Sequence, residues 1–211
     1  MGRKNVIAVG GQGFVKECFA YIKESNEVNF KGVLSIGDFK PDFSNIDIKF
    51  LGNLLEYTIE ENDYFLICAG KPSFRKEIYT ILKERNVKFY NLIYKTNISN
   101  SVNIGEGNIF INCEITSDIT IGNGNLFNSQ VIIGHDVNIG NYNFISPRTC
   151  ILGGVKIGSG NSIGTMSCLL PNSKIGDENI IAPGSFIYKG CKNRLYYSGN
   201  PAVKIGKVES L

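Results

Sequence analysis

The sequence predicts an α/β, Rossmann-like N-terminal domain followed by a left-handed parallel β-helix of hexapeptide repeats. Two observations predict it. Every sixth residue from 121 to 187 is large and apolar: Ile121, Phe127, Ile133, Ile139, Ile145, Ile151, Ile157, Ile163, Leu169, Ile175, Ile181 and Ile187. The chain also opens on the apolar run Val6-Ile7-Ala8-Val9, then Gly10-Gly11-Gln12-Gly13, then Phe14, Val15, Cys18, Phe19 and Ile22 at helical spacing.

A fixed period is the signature of stacked coils. Six fits neither a helix nor an alternating strand. Three six-residue sides close a triangular turn of eighteen, and a second signal has that period: Ile121-Gly122, Ile139-Gly140, Ile157-Gly158 and Ile175-Gly176, followed by Asn125, Asn143, Asn161 and Asn179. Ile104-Gly105 with Asn108 is an earlier copy, one residue short. The large apolar residues point inward and stack coil on coil. Four positions further on, Val131, Val137, Thr149, Val155, Ser167, Ser173 and Ser185 suit a narrow interior. Gly122, Gly134, Gly140, Gly158, Gly164 and Gly176 are expected at corners that need permissive backbone dihedrals. Adjacent coils then pair as parallel strands. The handedness rests on the repeat, because general topology favours right-handed crossovers.

Ahead of the repeat, strands are expected at residues 6–9, 32–36, 64–69 and 87–92, with helices to about 24 and, capped by Ser73, to about 85. The divisions are residues 1–92 for the α/β domain, 93–190 for the β-helix and 191–211 for a tail. The tail is expected to leave the repeat and lie across the solenoid or on a neighbouring chain. Three loops, 10–13, 37–38 and 70–73, follow strands, and open α/β sheets bind ligands at such ends. A helix N-terminus with bare amides suits a phosphate. Lys71, Arg75 and Lys76 either help to hold it or form a solvated helix face. Lys16 stands where a dinucleotide fingerprint has its third glycine, so NAD is not inferred.

A net charge of +3 gives no argument for nucleic acid. No apolar stretch reaches the ~18 residues of a membrane helix. The start shows no secretory pattern, so a cytoplasmic location is expected. Cys18, Cys68, Cys113, Cys150, Cys168 and Cys191 lack CxxC spacing and are expected to be free thiols.

The chain has one histidine, His135, in Ile133-Gly134-His135-Asp136. A lone histidine without a cysteine cluster cannot build a three-histidine zinc site, and no metal is expected. Two residues after an inward Ile, it projects from a corner. Imidazole exchanges a proton near neutral pH, so His135 suits a general base for an amine or hydroxyl attacking a carbonyl. Asp136 either orients the ring or is simply solvated. Gly153 lies eighteen residues on, in the next coil. Its amide either stabilises a developing oxyanion or only serves a corner with Gly154.

The N-terminal Gly10-Gly11-Gln12-Gly13-Phe14, the central Ile133-Gly134-His135-Asp136-Val137-Asn138-Ile139-Gly140 and the tail Gly199-Asn200-Pro201-Ala202 resemble the sugar-modifying acetyltransferases of the hexapeptide superfamily. That group includes bacillosamine-pathway and perosamine N-acetyltransferases and the sialic acid O-acetyltransferase. The resemblance covers nearly the whole chain. It implies an acetyl-CoA-dependent N-acetyltransferase of a nucleotide-linked amino sugar in surface glycan synthesis, working as a homotrimer; the alternative is O-acetylation of sialic acid or a related sugar. It implies that His135, Asp136 and Gly153 form the catalytic group. Gly11, Gly13, Asp38, Gly70 and Asn128 would bind the nucleotide sugar. Gly153, Thr165, Ala182, Pro183, Gly184 and Pro201 would bind acetyl-CoA. Many members carry a second His nine residues after the first, where this chain has Phe144.

Overall fold

The computed structural model describes residues 3–25 and 27–209. The N-terminal unit is a five-stranded parallel sheet: β1 (Asn5–Gly10), β2 (Asn29–Ser35), β3 (Phe50–Asn53), β4 (Asp63–Cys68) and β5 (Lys88–Phe89), in the order β3-β2-β1-β4-β5. Successive side chains of β1 point to opposite faces. Val6 and Ala8 pack with Val15, Cys18 and Ile22 of helix α1 (Gln12–Ser25). Ile7 and Val9 pack with Ile78 and Leu82 of helix α2 (Pro72–Glu84). β1 is therefore apolar throughout because both faces are covered.

Three expectations change here. Strand β3 went unpredicted, since Phe50-Leu51-Gly52-Asn53 carries no alternation. Ser73 does not cap α2: the N-cap is Lys71, with extended backbone and no side-chain cap. Pro72 takes the first helical position, where its missing N–H costs nothing. The strand expected at 87–92 divides. Lys88–Phe89 stays in the α/β sheet, while Leu92–Tyr94 pairs with Ile109–Ile111 of the solenoid. Asn91 makes the change of direction, accepting from Asn108 N–H at 2.8 Å and donating to Gly105 O at 2.8 Å.

The rest is a parallel β-helix with three sheets of six, six and eight strands. Pairing is in register along the sequence repeat, as in Ile121↔Ile139↔Ile157↔Ile175 and Ile133↔Ile151↔Leu169↔Ile187. These residues form one continuous buried core. The corner residue of each side lies three after the inward one and has left-handed backbone: Gln130 (φ 63°), Asp136 (61°), Tyr142 (59°), Arg148 (59°), Met166 (59°), Asn172 (62°) and Glu178 (55°).

The glycines after the inward residues are therefore not the corners, which corrects the expectation. Their role is close approach. A Cβ on Gly140 would sit 2.6 Å from Ser159 Oγ and 2.7 Å from Gly158 O, one coil on. The interior asparagines form a ladder. Asn143 donates to Asn125 Oδ1 at 3.0 Å and to Gly158 O at 2.9 Å, and its own Oδ1 accepts from Asn161 N–H at 2.8 Å. Asn108, Asn125, Asn161 and Asn179 continue the pattern.

The tail does not lie across the solenoid but extends it. Gly190–Cys191 pairs with Lys174–Ile175, Leu195–Gly199 pairs in parallel with Ile180–Ile181, and Ala202–Lys207 returns antiparallel. The ladder supplies the reason, since Leu195 N–H donates to Asn179 Oδ1 at 3.0 Å. All six cysteines are free. Among the described residues no helix is long and apolar enough to cross a membrane.

Asn143→Ala is expected to lower the unfolding free energy by about 3 kcal/mol, because it leaves Gly158 O and Asn161 N–H buried and unpaired. The shift in urea midpoint measures this. A change no larger than that of an exposed Asn substitution would deny the ladder its weight.

Candidate active site

His135 and Asp136 are the two turn residues between the strands Ile132–Ile133 and Asn138–Ile139. The positive φ of Asp136 turns its carboxylate back toward the preceding side chain. That places His135 Nδ1 2.7 Å from Asp136 Oδ2. Extended backbone would have sent the two apart. With Nδ1–H donating to the carboxylate, Nε2 keeps its lone pair and is the basic nitrogen. Both side chains are about two-thirds exposed (69% and 68%), so the pair contributes orientation rather than stability.

Gly153 lies beneath the ring. A Cβ there would stand 2.7 Å from Nε2 and 2.8 Å from Cε1 of His135, so only glycine leaves the imidazole this seat. The next residue ties the two coils, Gly154 N–H donating to His135 O at 2.9 Å. Among the described residues no acceptor takes the Gly153 N–H. At another corner the equivalent amides are all engaged: those of Asn123, Asn141, Ser159 and Asp177 donate to Asn141 Oδ1, Ser159 Oγ, Asp177 Oδ1 and Asn193 Oδ1. The His135 corner thus brings together an oriented imidazole and, among the described residues, a free backbone donor.

Asn128, Thr165, Ala182, Pro183, Gly184 and Pro201 lie elsewhere, at the corner that precedes the strand leading to His135. Gly184 N–H donates to Thr165 O at 2.8 Å, Ala182 N–H to Tyr197 O at 2.9 Å, and Gly199 N–H to Ser185 Oγ at 3.3 Å. The hairpin carrying Pro201 therefore continues this corner. Asn128 Oδ1 accepts its neighbour's N–H, Ser129, at 2.7 Å. A cavity of about 450 Å³ is lined here by Ser129, Gln130, Arg148, Thr165 and Met166. The sequence reading missed Arg148, although the eighteen-residue period stacks it on Gln130, whose Oε1 it meets at 2.9 Å. Phe144 packs against the core under α1.

Gly11, Asp38 and Gly70 follow the adjacent strands β1, β2 and β4 at one end of the sheet, and Gly13 opens α1. A Cβ on Gly11 or Gly13 would meet nothing within 4 Å, so neither serves strand–helix packing. Gly10 serves close approach of strands instead: its φ is +146°, and a Cβ there would run into the backbone of Cys68, its partner on β4. Of the three basic residues considered near this end, Lys71 and Lys76 are exposed and Lys76 lines a cavity of about 900 Å³ between α2 and the coil corner at Tyr142. Arg75 is neither a phosphate ligand nor a solvated residue. It is fully buried, and burial pushes its guanidinium down to about 10, still cationic at neutral pH. Among the described residues no group of three His, Cys, Asp or Glu side chains is arranged to hold a metal.

No protein-family model matches the chain, and no curated protein sequence matches it significantly. Solved structures do. The acetyltransferase domain of PglB from Neisseria gonorrhoeae FA1090 superposes with a TM-score of 0.87 at 20% identity, covering 96% of this chain and 100% of that one. PerB from Caulobacter crescentus, in complex with CoA and GDP-perosamine, superposes with a TM-score of 0.85 at 20% identity, covering 96% and 97%. This chain has the fold of these acetyltransferases. WeeI from Acinetobacter baumannii AYE shares it as well, with a TM-score of 0.82 at 22% identity, covering 96% and 100%. The PglB domain has also been solved in complex with acetyl coenzyme A.

Because His135 is the only histidine, its ring nitrogens give a single set of NMR signals. Gly153→Ala is expected to move those signals, as the new methyl displaces the ring from its seat. Identical imidazole shifts in the variant and the parent would show that the ring does not rest on Gly153.

Proposed function

We propose that this chain is an acetyl-CoA-dependent N-acetyltransferase acting on a nucleotide-linked amino sugar, a 4-amino-4,6-dideoxy sugar in the first instance, in cytoplasmic synthesis of a surface glycan. One observation carries the reading: an imidazole oriented by a carboxylate, with its basic Nε2 lying over a glycine whose N–H is free. That is the pairing an acyl transfer needs. The amine of the sugar attacks the thioester carbonyl. Nε2 of His135 takes the proton that the nitrogen loses, and Gly153 N–H meets the negative oxygen. Collapse breaks the C–S bond, and the imidazolium returns its proton to the departing CoA thiolate. Asp136 holds the ring in the tautomer that keeps Nε2 free. No step calls for a metal.

The N-terminal unit, read as a Rossmann-like nucleotide-sugar domain, takes its ligand at Gly11, Gly13, Asp38 and Gly70, where bare backbone and the start of α1 suit a diphosphate. CoA runs along Thr165, Ala182, Pro183, Gly184 and Pro201, and Asn128 meets the acceptor sugar. These groups and His135 occupy different corners of one solenoid. Acyl transfer also favours a site closed to water, whereas His135 stands open. A homotrimer answers both points, each site lying between neighbouring β-helices. The flat side between the two corners presents Ile132, Cys150, Cys168 and Phe186 in register, an apolar stripe suited to burial in a closed ring. The likeness of fold to PerB, a protein held with CoA and GDP-perosamine, supports the same substrate classes here.

The test is thiol release from acetyl-CoA against UDP-, dTDP- and GDP-linked 4-amino-4,6-dideoxy sugars, with free and CMP-linked sialic acid beside them. Turnover with an amino sugar is the expected result. Turnover with sialic acids alone would overturn N-acetylation in favour of O-acetylation, and no turnover at all would overturn both. His135→Ala is expected to lower kcat by about a hundredfold or more. A loss under about tenfold in a folded variant would remove the general-base role.

A further inference from the structure

Arg75 is among the largest fully buried side chains, yet among the described residues no carboxylate pairs with it. Its partners are four backbone carbonyls. Two belong to the end of β4 and the residue before the 70–73 loop: Nη1 donates to Ile67 O at 3.1 Å and to Ala69 O at 2.6 Å. Two belong to a β-helix corner: Nε donates to Gly124 O at 2.7 Å and Nη2 to Asn125 O at 3.2 Å. Its own N–H donates to Lys71 O at 2.9 Å. The guanidinium thus ties the residue that enters the 70–73 loop to the solenoid, while the far end of the loop is held by the backbone of the first turn of α2.

Burying a charge with only neutral acceptors is a poor way to gain stability, and a well-packed apolar side chain at such a seam often does as well or better. What the guanidinium adds is geometry. Its planar fork fixes direction as well as distance at each acceptor, which neither a lysine nor an apolar contact does. Asn125 also belongs to the interior ladder, so the fork refers the loop to the part of the solenoid least able to shift.

We propose that Arg75 is a positioning residue for the acceptor substrate, locking the 70–73 loop of the α/β unit to the Gly124 corner of the β-helix. The proposal rests on the reading above that this loop helps to hold the nucleotide sugar. The role is specific to that substrate, because CoA is assigned to the coils themselves. The seam has further support along α2. Tyr79 donates to Glu106 Oε1 at 2.7 Å, Lys83 pairs with the same carboxylate, and the rings of Tyr79 and Tyr142 are 5.2 Å apart. Loss of Arg75 therefore frees the N-terminal end of α2 without parting the two units.

The experiment combines hydrogen exchange with steady-state kinetics on Arg75→Met and Arg75→Lys. In Arg75→Met the amides of residue 75 and Gly11, bonded in the parent to Lys71 O and Cys68 O on either side of the loop, should exchange faster than in the parent. Catalytic efficiency toward the nucleotide sugar should fall by about a hundredfold, the scale of a small misplacement of a substrate. The KM for acetyl-CoA should stay within about twofold. Arg75→Lys, with one point charge for four carbonyls, should fall between the two. Unchanged exchange of the residue 75 and Gly11 amides would overturn the proposal. So would a loss shared equally by both substrates, which is what a purely structural role predicts. Should Arg75→Met fail to fold, the exchange of Arg75→Lys decides in the same way. If the parent acetylates no nucleotide sugar, the functional reading fails, while the exchange measurement still decides whether Arg75 holds the loop.

Discussion

Asn108, Asn125, Asn143, Asn161 and Asn179 stand one above another inside the β-helix, and each side-chain oxygen accepts a backbone N–H from the next coil. Inside a protein an unpaired amide is expensive, so every rung must meet the next. The ladder therefore permits one registry between coils. A coil displaced by a residue would turn its inward Ile to solvent and leave two asparagines unsatisfied. That registry places His135 over Gly153 and Gly184 beside Thr165. It also carries the chain past its last hexapeptide, since Asn179 still has an acceptor to offer Leu195.

The corners share a backbone but not a chemistry. At the Tyr142 corner, side chains one coil on accept the turn amides, and helix α2 packs alongside through Tyr79, whose ring is 5.2 Å from that of Tyr142. At the His135 corner the turn amide of Gly153 is left open and the side chains project into solvent. A regular scaffold thus carries one edge that docks the α/β unit and an open one with an imidazole and a backbone donor at coil spacing. The two units share an apolar cluster, in which Ile109, Ile111 and Leu126 pack with Val15, Cys18 and Ile22 of α1, and Arg75 adds to it a polar tie that meets carbonyls rather than charges.

The repeat made most of the solenoid legible. Its inward residues, its eighteen-residue pairing and the stacking of His135 on Gly153 all follow from counting, because coil registry turns sequence spacing directly into spatial contact. Where counting did not apply, the reading failed in identifiable ways. Strand β3 was missed because a short strand without alternation carries no pattern. The glycines after the inward residues were assigned to corners, whereas they are there to let the next coil approach. Sequence leaves Arg75 either a phosphate ligand or a solvated residue, and its burial makes it neither.

The sequence by itself determined the order of the two units, the period and inward face of every coil, and the identity of the one histidine. Those properties are local or strictly periodic, and packing has only to honour them. Tertiary structure decided the rest. It set the left-handed turn that brings Asp136 back to Nδ1, the unpaired amide of Gly153 and the continuation of the tail as strands. It also seated Arg75 between two units whose contact no periodicity encodes. Each of these depends on groups distant in the chain competing for the same hydrogen bonds, and that competition is resolved only when the coils and the α/β sheet are in place.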